Sequence, residues 1–237
     1  MLGALRRLVH PGDVVYDIGA NIGLYSRFMV QKFRASRVYA FEPMSQNRPL
    51  LTRNLEIGGC ASQVVVLPFA IADEDAIADF QVDDISSASG TLDAVAHGDA
   101  CQGRRQYHLP PITESVQVGR LDTVIRNQGL TLPDVIKIDI EGAEAMALRG
   151  GRRLLCEQRP RLAIELHGPA VAAEVLQVLW DCNYHCFGYL ETGGGRVYKK
   201  LAASDLPAIN DLYSLHFLAA SVQEEELMLP IDNSEWN

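Results

Sequence analysis

Short apolar runs alternate with longer segments in which apolar residues recur at helical spacing. The runs Val14 to Ile18, Arg37 to Glu42, Val64 to Ala70, Val135 to Ile140 and Arg161 to Leu166 predict five strands. Leu24 to Phe33, Pro43 to Ile57, Leu121 to Asn127, Glu141 to Gly150 and Pro169 to Asn183 predict the helices between and after them, with Gly58-Gly59 and Gly150-Gly151 as stops. Strands alternating with helices predict a mostly parallel sheet. Val64 to Ala70 is continuously apolar, which implies burial on both faces. Tyr184 to Tyr189, Arg196 to Lys199 and Tyr213 to Ala219 predict closing strands that include an antiparallel pair. The acidic residues from Gln223 onward predict a loosely packed tail.

Asp75 to Ser115 breaks the rhythm. It is rich in Ser, Gly, Asp and Ala, and its strand candidates are Phe80 to Val82 and Tyr107 to Leu109. Weak periodicity over such a length marks either a functional insertion or a disordered surface loop. Its position favours a lid or substrate-selecting insertion at 75–115. No repeat or linker divides the chain, so residues 1–237 are expected to form one domain.

Val14 to Ser26, VVYDIGANIGLYS, is how a strand hands over to a helix at the top of an open α/β sheet, where such folds hold ligands. Gly19 and Gly23 lack a Cβ, so a ligand can approach the backbone there. The following helix N-terminus offers unpaired N–H groups. The spacing is not Gly-x-Gly-x-x-Gly, and no Gly-Lys-Ser/Thr follows, which argues against dinucleotide and phosphate loops. A plain structural turn is the alternative.

Other candidates fall at strand ends. Asp17 ends the first strand and Glu42 the second; the Glu42 carboxylate could accept both hydroxyls of a ribose. Near the third strand's end, backbone around Ala70 or the Asp73 carboxylate could meet an adenine edge. On the fourth strand, Lys137, Asp139 and Glu141 alternate with Ile136, Ile138 and Ile140, and charges on one face are costly to bury unless paired or used. Glu144 lies in the first turn of the next helix, where its charge favours the dipole. Glu165 and His167 share a face at the fifth strand's end. His167 is the general-base candidate, because its unperturbed pKa lies near neutrality.

Composition narrows the classes. The chain has 237 residues, enough for a full α/β core, and its net charge of −9 argues against a nucleic-acid backbone as partner. Five cysteines without a Cys-x-x-Cys pair argue against a disulfide scaffold or zinc site, and predict reduced thiols and a cytoplasmic setting. No apolar run approaches the ~20 residues that span a bilayer. Met1 to Val9 is too short for a secretory signal.

DIGANIG, FEP, KIDIEGAE and the ELH segment, in this order and spacing, resemble the FkbM-type methyltransferases. The likeness covers roughly Leu8 to His167, and KIDIEGAE is its most specific part. It implies a Rossmann-like class I methyltransferase fold: α/β, a seven-stranded, mostly parallel sheet with the last strand antiparallel, and helices on both faces. It implies S-adenosylmethionine as cofactor, with Asp17, Gly19, Asn21 and Gly23 at the methionine end and Glu42 on the ribose. It puts Asp139 and Glu141 at the active-site mouth and matches His167 to the fifth-strand position. The family's activity implies O-methylation of a small-molecule, sugar, glycolipid or polyketide hydroxyl. Motif I begins almost at once, so a leading helical cap is expected to be absent or supplied by a partner, and a homodimer would cover such a patch.

The expected chemistry is in-line methyl transfer to a hydroxyl oxygen, which needs alignment and removal of a proton. His167 is the expected base, with Asp139 or Glu165 orienting it or substituting for it. A magnesium or manganese ion held by Asp139, Glu165 and His167 is the metal-assisted alternative. A nicotinamide dehydrogenase conflicts with the missing glycines. A non-catalytic binding module conflicts with the retained charged faces.

Overall fold

The computed structural model describes residues 1–83, 89–92, 106–110, 112–192, 195–205, 215–221 and 223. In chain order its elements are α1 (Leu2–Leu8), β1 (Val14–Ile18), α2 (Leu24–Gln31), β2 (Arg37–Phe41), α3 (Asn47–Ile57), β3 (Val64–Leu67) and β4 (Phe69–Ala72). There follow β5 (Ala76–Asp83), β6 (Ser89–Leu92), β7 (Ile112–Arg120), α4 (Leu121–Gln128), β8 (Val135–Ile138), α5 (Glu144–Gly150) and α6 (Arg152–Glu157). The last are β9 (Arg161–Glu165), α7 (Pro169–Asp181), β10 (His185–Thr192), β11 (Gly195–Leu201) and β12 (Leu215–Ser221).

Eight strands form one sheet in the order β11-β10-β12-β9-β8-β1-β2-β3. From β3 to β9 the pairing is parallel, whereas β12 is antiparallel to both β9 and β10. The last strand among the described residues is therefore antiparallel, as expected. The expected count of seven is one short, because β11 pairs with β10 as an extra antiparallel edge. Alternate residues of the central strands serve two cores, as a two-residue period dictates. Tyr16, Ile18, Tyr39 and Phe41 pack with α4, α5, α6 and α7; Val15, Val38 and Ala40 pack with α1, α2 and α3. Helices thus cover both faces.

The chain leaves β1 toward β2 on one side and pairs with β8 on the other, so the sheet's switch point lies between β1 and β8. Ligands in open α/β sheets lie beyond the carboxyl ends at such a point.

Three expectations need correction. The third apolar run does not make one strand. It splits at Pro68 into β3, which closes the main sheet, and β4, which enters a second sheet ordered β4-β7-β5-β6. Proline has no N–H for a ladder, and here it marks the change of sheet. The irregular region supplies β5, β6 and the start of β7, while Tyr107 to Leu109 is not a strand. Its residues 84–88, 93–105 and 111, and the tail beyond Gln223, lie outside the described residues. Finally, a leading helix is present: α1 buries Leu5 and Leu8 in the core shared by Val15 and Met29.

Predicted ends also contract at the ligand face. β8 stops at Ile138 and α5 starts at Glu144, leaving Asp139 to Ala143 as a turn. α3 starts at Asn47 rather than Pro43.

Candidate active site

The turn after β1 is held from below. Gly19 N–H and Ala20 N–H both donate to the Phe41 carbonyl, at 3.1 and 3.0 Å. Gly19, Asn21 and Gly23 have φ of 78°, 50° and 81°, left-handed values that glycine and asparagine tolerate best. A Cβ on Gly19 would stand 1.9 Å from the Asp139 carbonyl oxygen. That glycine therefore permits close packing of β1's end against the segment after β8. Gly23 caps α2, and a Cβ there would lie 3.1 Å from Leu51 Cγ.

Asp17 is fully buried beneath this turn. Its Oδ2 accepts from Ser26 Oγ at 2.7 Å, and its Oδ1 lies 3.1 Å from Lys137 Nζ. Lys137 is buried as well and donates to the Gly19 carbonyl at 2.7 Å. Burial opposes its charge, but Asp17 and Asp139 outweigh that and hold the ammonium above its ordinary value. Asp17 thus supports the loop from within the protein, and it does not border the cavity.

That cavity lies at the carboxyl ends of β1 and β2. Gly19, Asn21, Glu42, Ala70, Asp139 and Glu141 are among its lining residues, along with Phe69, Phe80 and Leu92 from the second sheet. Glu42 is buried, with Oε2 accepting from Asn21 N–H at 2.8 Å and Oε1 from Met44 N–H at 2.9 Å. Burial raises its carboxyl above the usual range. Asn47 Nδ2 also donates to Oε1 at 3.3 Å; a carboxylate has roughly four lone-pair sites, so the spare acceptor capacity lies on Oε2. Asn21 Oδ1 is buried with no hydrogen-bond partner among the described residues. Ala70 lines the apolar side. Asp73 does not border the cavity; it pairs with Arg149 Nε at 2.9 Å, and Arg149 reaches Glu174 at 2.8 Å.

Beside the cavity, the ends of β8 and β9 bring Asp139, Glu141 and His167 together. Asp139 N–H donates to the Ile18 carbonyl at 3.1 Å, which fixes the turn against β1. Glu141 and Gly142 follow with φ of 54° and 105°, folding the turn back so that Gly142 N–H meets Glu144 Oε1 at 3.1 Å. The same Glu144 Oε1 lies 2.8 Å from His167 Nδ1. His167 Nε2 then faces outward, 3.4 Å from Glu141 Oε2 and 3.9 Å from Asp139 Oδ1.

Burial disfavours the charged imidazole, but Glu144, Glu141 and Asp139 overcome it and raise His167 to about 9. The ring is thus held well above the unperturbed value near neutrality, because three carboxylates surround it. At neutral pH Nε2 carries a proton unless another cation takes its place, and a protonated ring donates rather than accepts.

Glu144 is the site residue that the sequence reading assigned only to the helix dipole. Its signal was a charge set among Ala143, Ala145 and Ala147, a small-residue stretch suited to a buried face; its side chain is fully buried. Glu165, expected beside His167 as orienter or metal ligand, is replaced in both respects: Glu144 holds the ring, and the potential ligand atoms within 4.8 Å of one another belong to Asp139, Glu141 and His167.

Comparison with known proteins agrees with this fold. The Methyltransferase FkbM domain matches residues 17–186. The 31-O-demethyl-FK506 methyltransferase FkbM of Streptomyces tacrolimicus is 28% identical over 163 residues, covering 60% of each chain. The 2-O-methyltransferase NoeI of Sinorhizobium fredii is 29% identical over 163 residues, covering 64% of this chain and 63% of its own. The chain spans less than two thirds of the length of the curated relatives it matches, from 8% to 63%. Among solved structures, a methyltransferase FkbM from Methylobacillus flagellatus KT superposes with a TM-score of 0.54 at 20% identity, over 88% of this chain and 43% of that one. At that identity the likeness establishes a shared fold.

Proposed function

We propose, for a chain that belongs to the FkbM methyltransferase family, the transfer of a methyl group from S-adenosylmethionine to a hydroxyl oxygen of a small molecule. The observation that carries this reading is a cavity lined by the Gly19 turn, Asn21 and Glu42 together with Asp139 and Glu141.

The residues suit this cofactor. Glu42 offers carboxylate lone pairs to ribose hydroxyls, and Asn21 offers a buried, unpartnered Oδ1 to an ammonium group or hydroxyl. Ala70, Phe69 and Phe80 give the cavity an apolar side suited to an adenine face. Gly19 and Gly23 keep the turn tight, and Lys137 pins its carbonyl from beneath. When bound, S-adenosylmethionine supplies an electrophilic methyl group on a sulfonium.

The chain's own part is alignment and management of the acceptor proton. Asp139, Glu141 and His167 stand on the acceptor side, where that proton must leave. An oxygen acceptor is favoured by the activities of two relatives, a 31-O-demethyl-FK506 methyltransferase and a 2-O-methyltransferase. The second sheet, placed between β3 and α4 in the chain, contributes Phe80 and Leu92 to the cavity and forms part of the enclosure that selects the acceptor.

The test is incubation of the protein with S-adenosylmethionine and a panel of polyketide alcohols and sugars, read by mass spectrometry. The expected product gains one methyl on oxygen, and the matching deoxy compound gains none. Methylation of amines with no hydroxyl acceptor in the panel would overturn the O-transfer assignment.

A further inference from the structure

The geometry points to a divalent-cation site formed by Asp139, Glu141 and His167, with Glu144 orienting the histidine. We infer that it takes an ion of the manganese class. The inference rests on the methyl-transfer reading only for its chemical role; the site itself stands on geometry.

Three donors converge from two loop segments. One carboxylate oxygen each from Asp139 and Glu141 and one ring nitrogen of His167 all lie within 4.8 Å of one another. Nε2 is 3.4 Å from Glu141 Oε2 and 3.9 Å from Asp139 Oδ1. Ligands about 2.1 Å from a small divalent ion and at right angles to each other stand about 3 Å apart. Side-chain adjustment that closes these separations to about 3 Å would set the donors on one face of an octahedron.

The support behind them is built in. Glu144 is fully buried, and its Oε1 lies 2.8 Å from His167 Nδ1 while also accepting from Gly142 N–H at 3.1 Å. A carboxylate on one ring nitrogen fixes the tautomer and leaves the other nitrogen as the ligand, the usual arrangement behind a metal-bound histidine. The remaining positions face outward: Glu141 is 47% exposed, and Asp139 and Glu141 both border the cavity. Waters or an acceptor oxygen can complete the shell.

Two carboxylates and one imidazole form a mainly oxygen donor set that suits manganese, whereas softer ions favour sets with thiolates. In the proposed reaction a cation here would ligate the acceptor hydroxyl and lower its pKa. The O–H proton then passes to water, a C–O bond forms, the methyl C–S bond breaks, and the sulfur leaves with that electron pair as a neutral thioether. No oxidant or reductant is required.

The experiment uses the full chain stripped with EDTA and titrated with manganese chloride. Loss of the free-ion paramagnetic resonance signal reports binding, and S-adenosylmethionine binding is measured in parallel by calorimetry. The expected result is one saturable site, weakened at least about tenfold by Glu141→Gln and by His167→Ala. Glu144→Gln should weaken it by about 10- to 100-fold, the range for a partner behind a ligand. Glu141→Gln changes a half-exposed side chain, so it tests the site without threatening the fold. Absence of saturable manganese binding, or binding that Glu141→Gln and His167→Ala leave unchanged, overturns the inference. If S-adenosylmethionine binds and manganese does not, only this inference fails. If manganese binds and S-adenosylmethionine does not, the methyl-transfer reading fails and the site stands.

Discussion

Gly19 shows how far a residue can be understood without its neighbours. Its place after a strand marked a sharp turn, and φ of 78° agrees. The sequence pointed to ligand approach as its purpose. The structure adds the Asp139 carbonyl, 1.9 Å from where a Cβ would sit, a contact from a segment about 120 residues away in the chain. Gly19→Ala should therefore destabilise the fold by about 2–4 kcal/mol, through strain and overlap with rigid backbone. Chemical denaturation of the variant would measure this, and a cost below 0.5 kcal/mol, the scale of a surface change, would contradict it. Lys137 and Glu144 were harder to read. Alternation set Lys137 on a face with Asp139, and the two do meet at 3.6 Å, but the lysine's nearer carboxylate, at 3.1 Å across the sheet, is Asp17. Register between strands decides that pairing, and one strand's sequence does not contain it. Glu144 was visible as a helix-start carboxylate, while its contact with His167 depends on the turn at Glu141 and Gly142.

At the scale of elements, the parallel core was legible because each strand is a compact apolar run and each helix keeps its period. What the pattern hid was the second sheet. β5 and β7 pair antiparallel over several residues, yet exposed positions such as Ile77 and Ile112 blur the alternation that would reveal them. β4 was absorbed into the apolar run of β3. The two sheets are tied through α5, where a Cβ on Gly150 would stand 1.9 Å from the Ala72 carbonyl oxygen in β4. This sets two effects against each other. Alanine favours a helix over glycine by about 1 kcal/mol, but the overlap is with backbone that cannot swing aside. Gly150→Ala should lower the melting temperature by several degrees, corresponding to a loss of about 1–3 kcal/mol. A rise would mean that the helix end relaxes away from β4 and that the second sheet is less firmly tied to α5.

For the whole molecule, an acidic chain folds as an open α/β sheet with a cavity at its switch point, the setting on which the proposed methyl transfer rests. No helix among the described residues is long and apolar enough to cross a membrane. The family was legible from DIGANIG and KIDIEGAE because both motifs sit at strand ends, where the fold itself brings them together. The acceptor was not legible: the second sheet, which adds Phe69, Phe80 and Leu92 to the cavity, comes largely from a stretch whose sequence carries no clear period. The central claim is that the Gly19 turn and Glu42 hold S-adenosylmethionine. It is tested most directly by calorimetric titration of S-adenosylmethionine into wild type and Glu42→Ala, each checked for folding. The predicted result is saturable one-to-one binding, weakened about tenfold or more by the substitution, since a hydrogen bond to a charged group contributes about 1.5–3 kcal/mol. Equal affinity in the two proteins, or no binding to either, would contradict it.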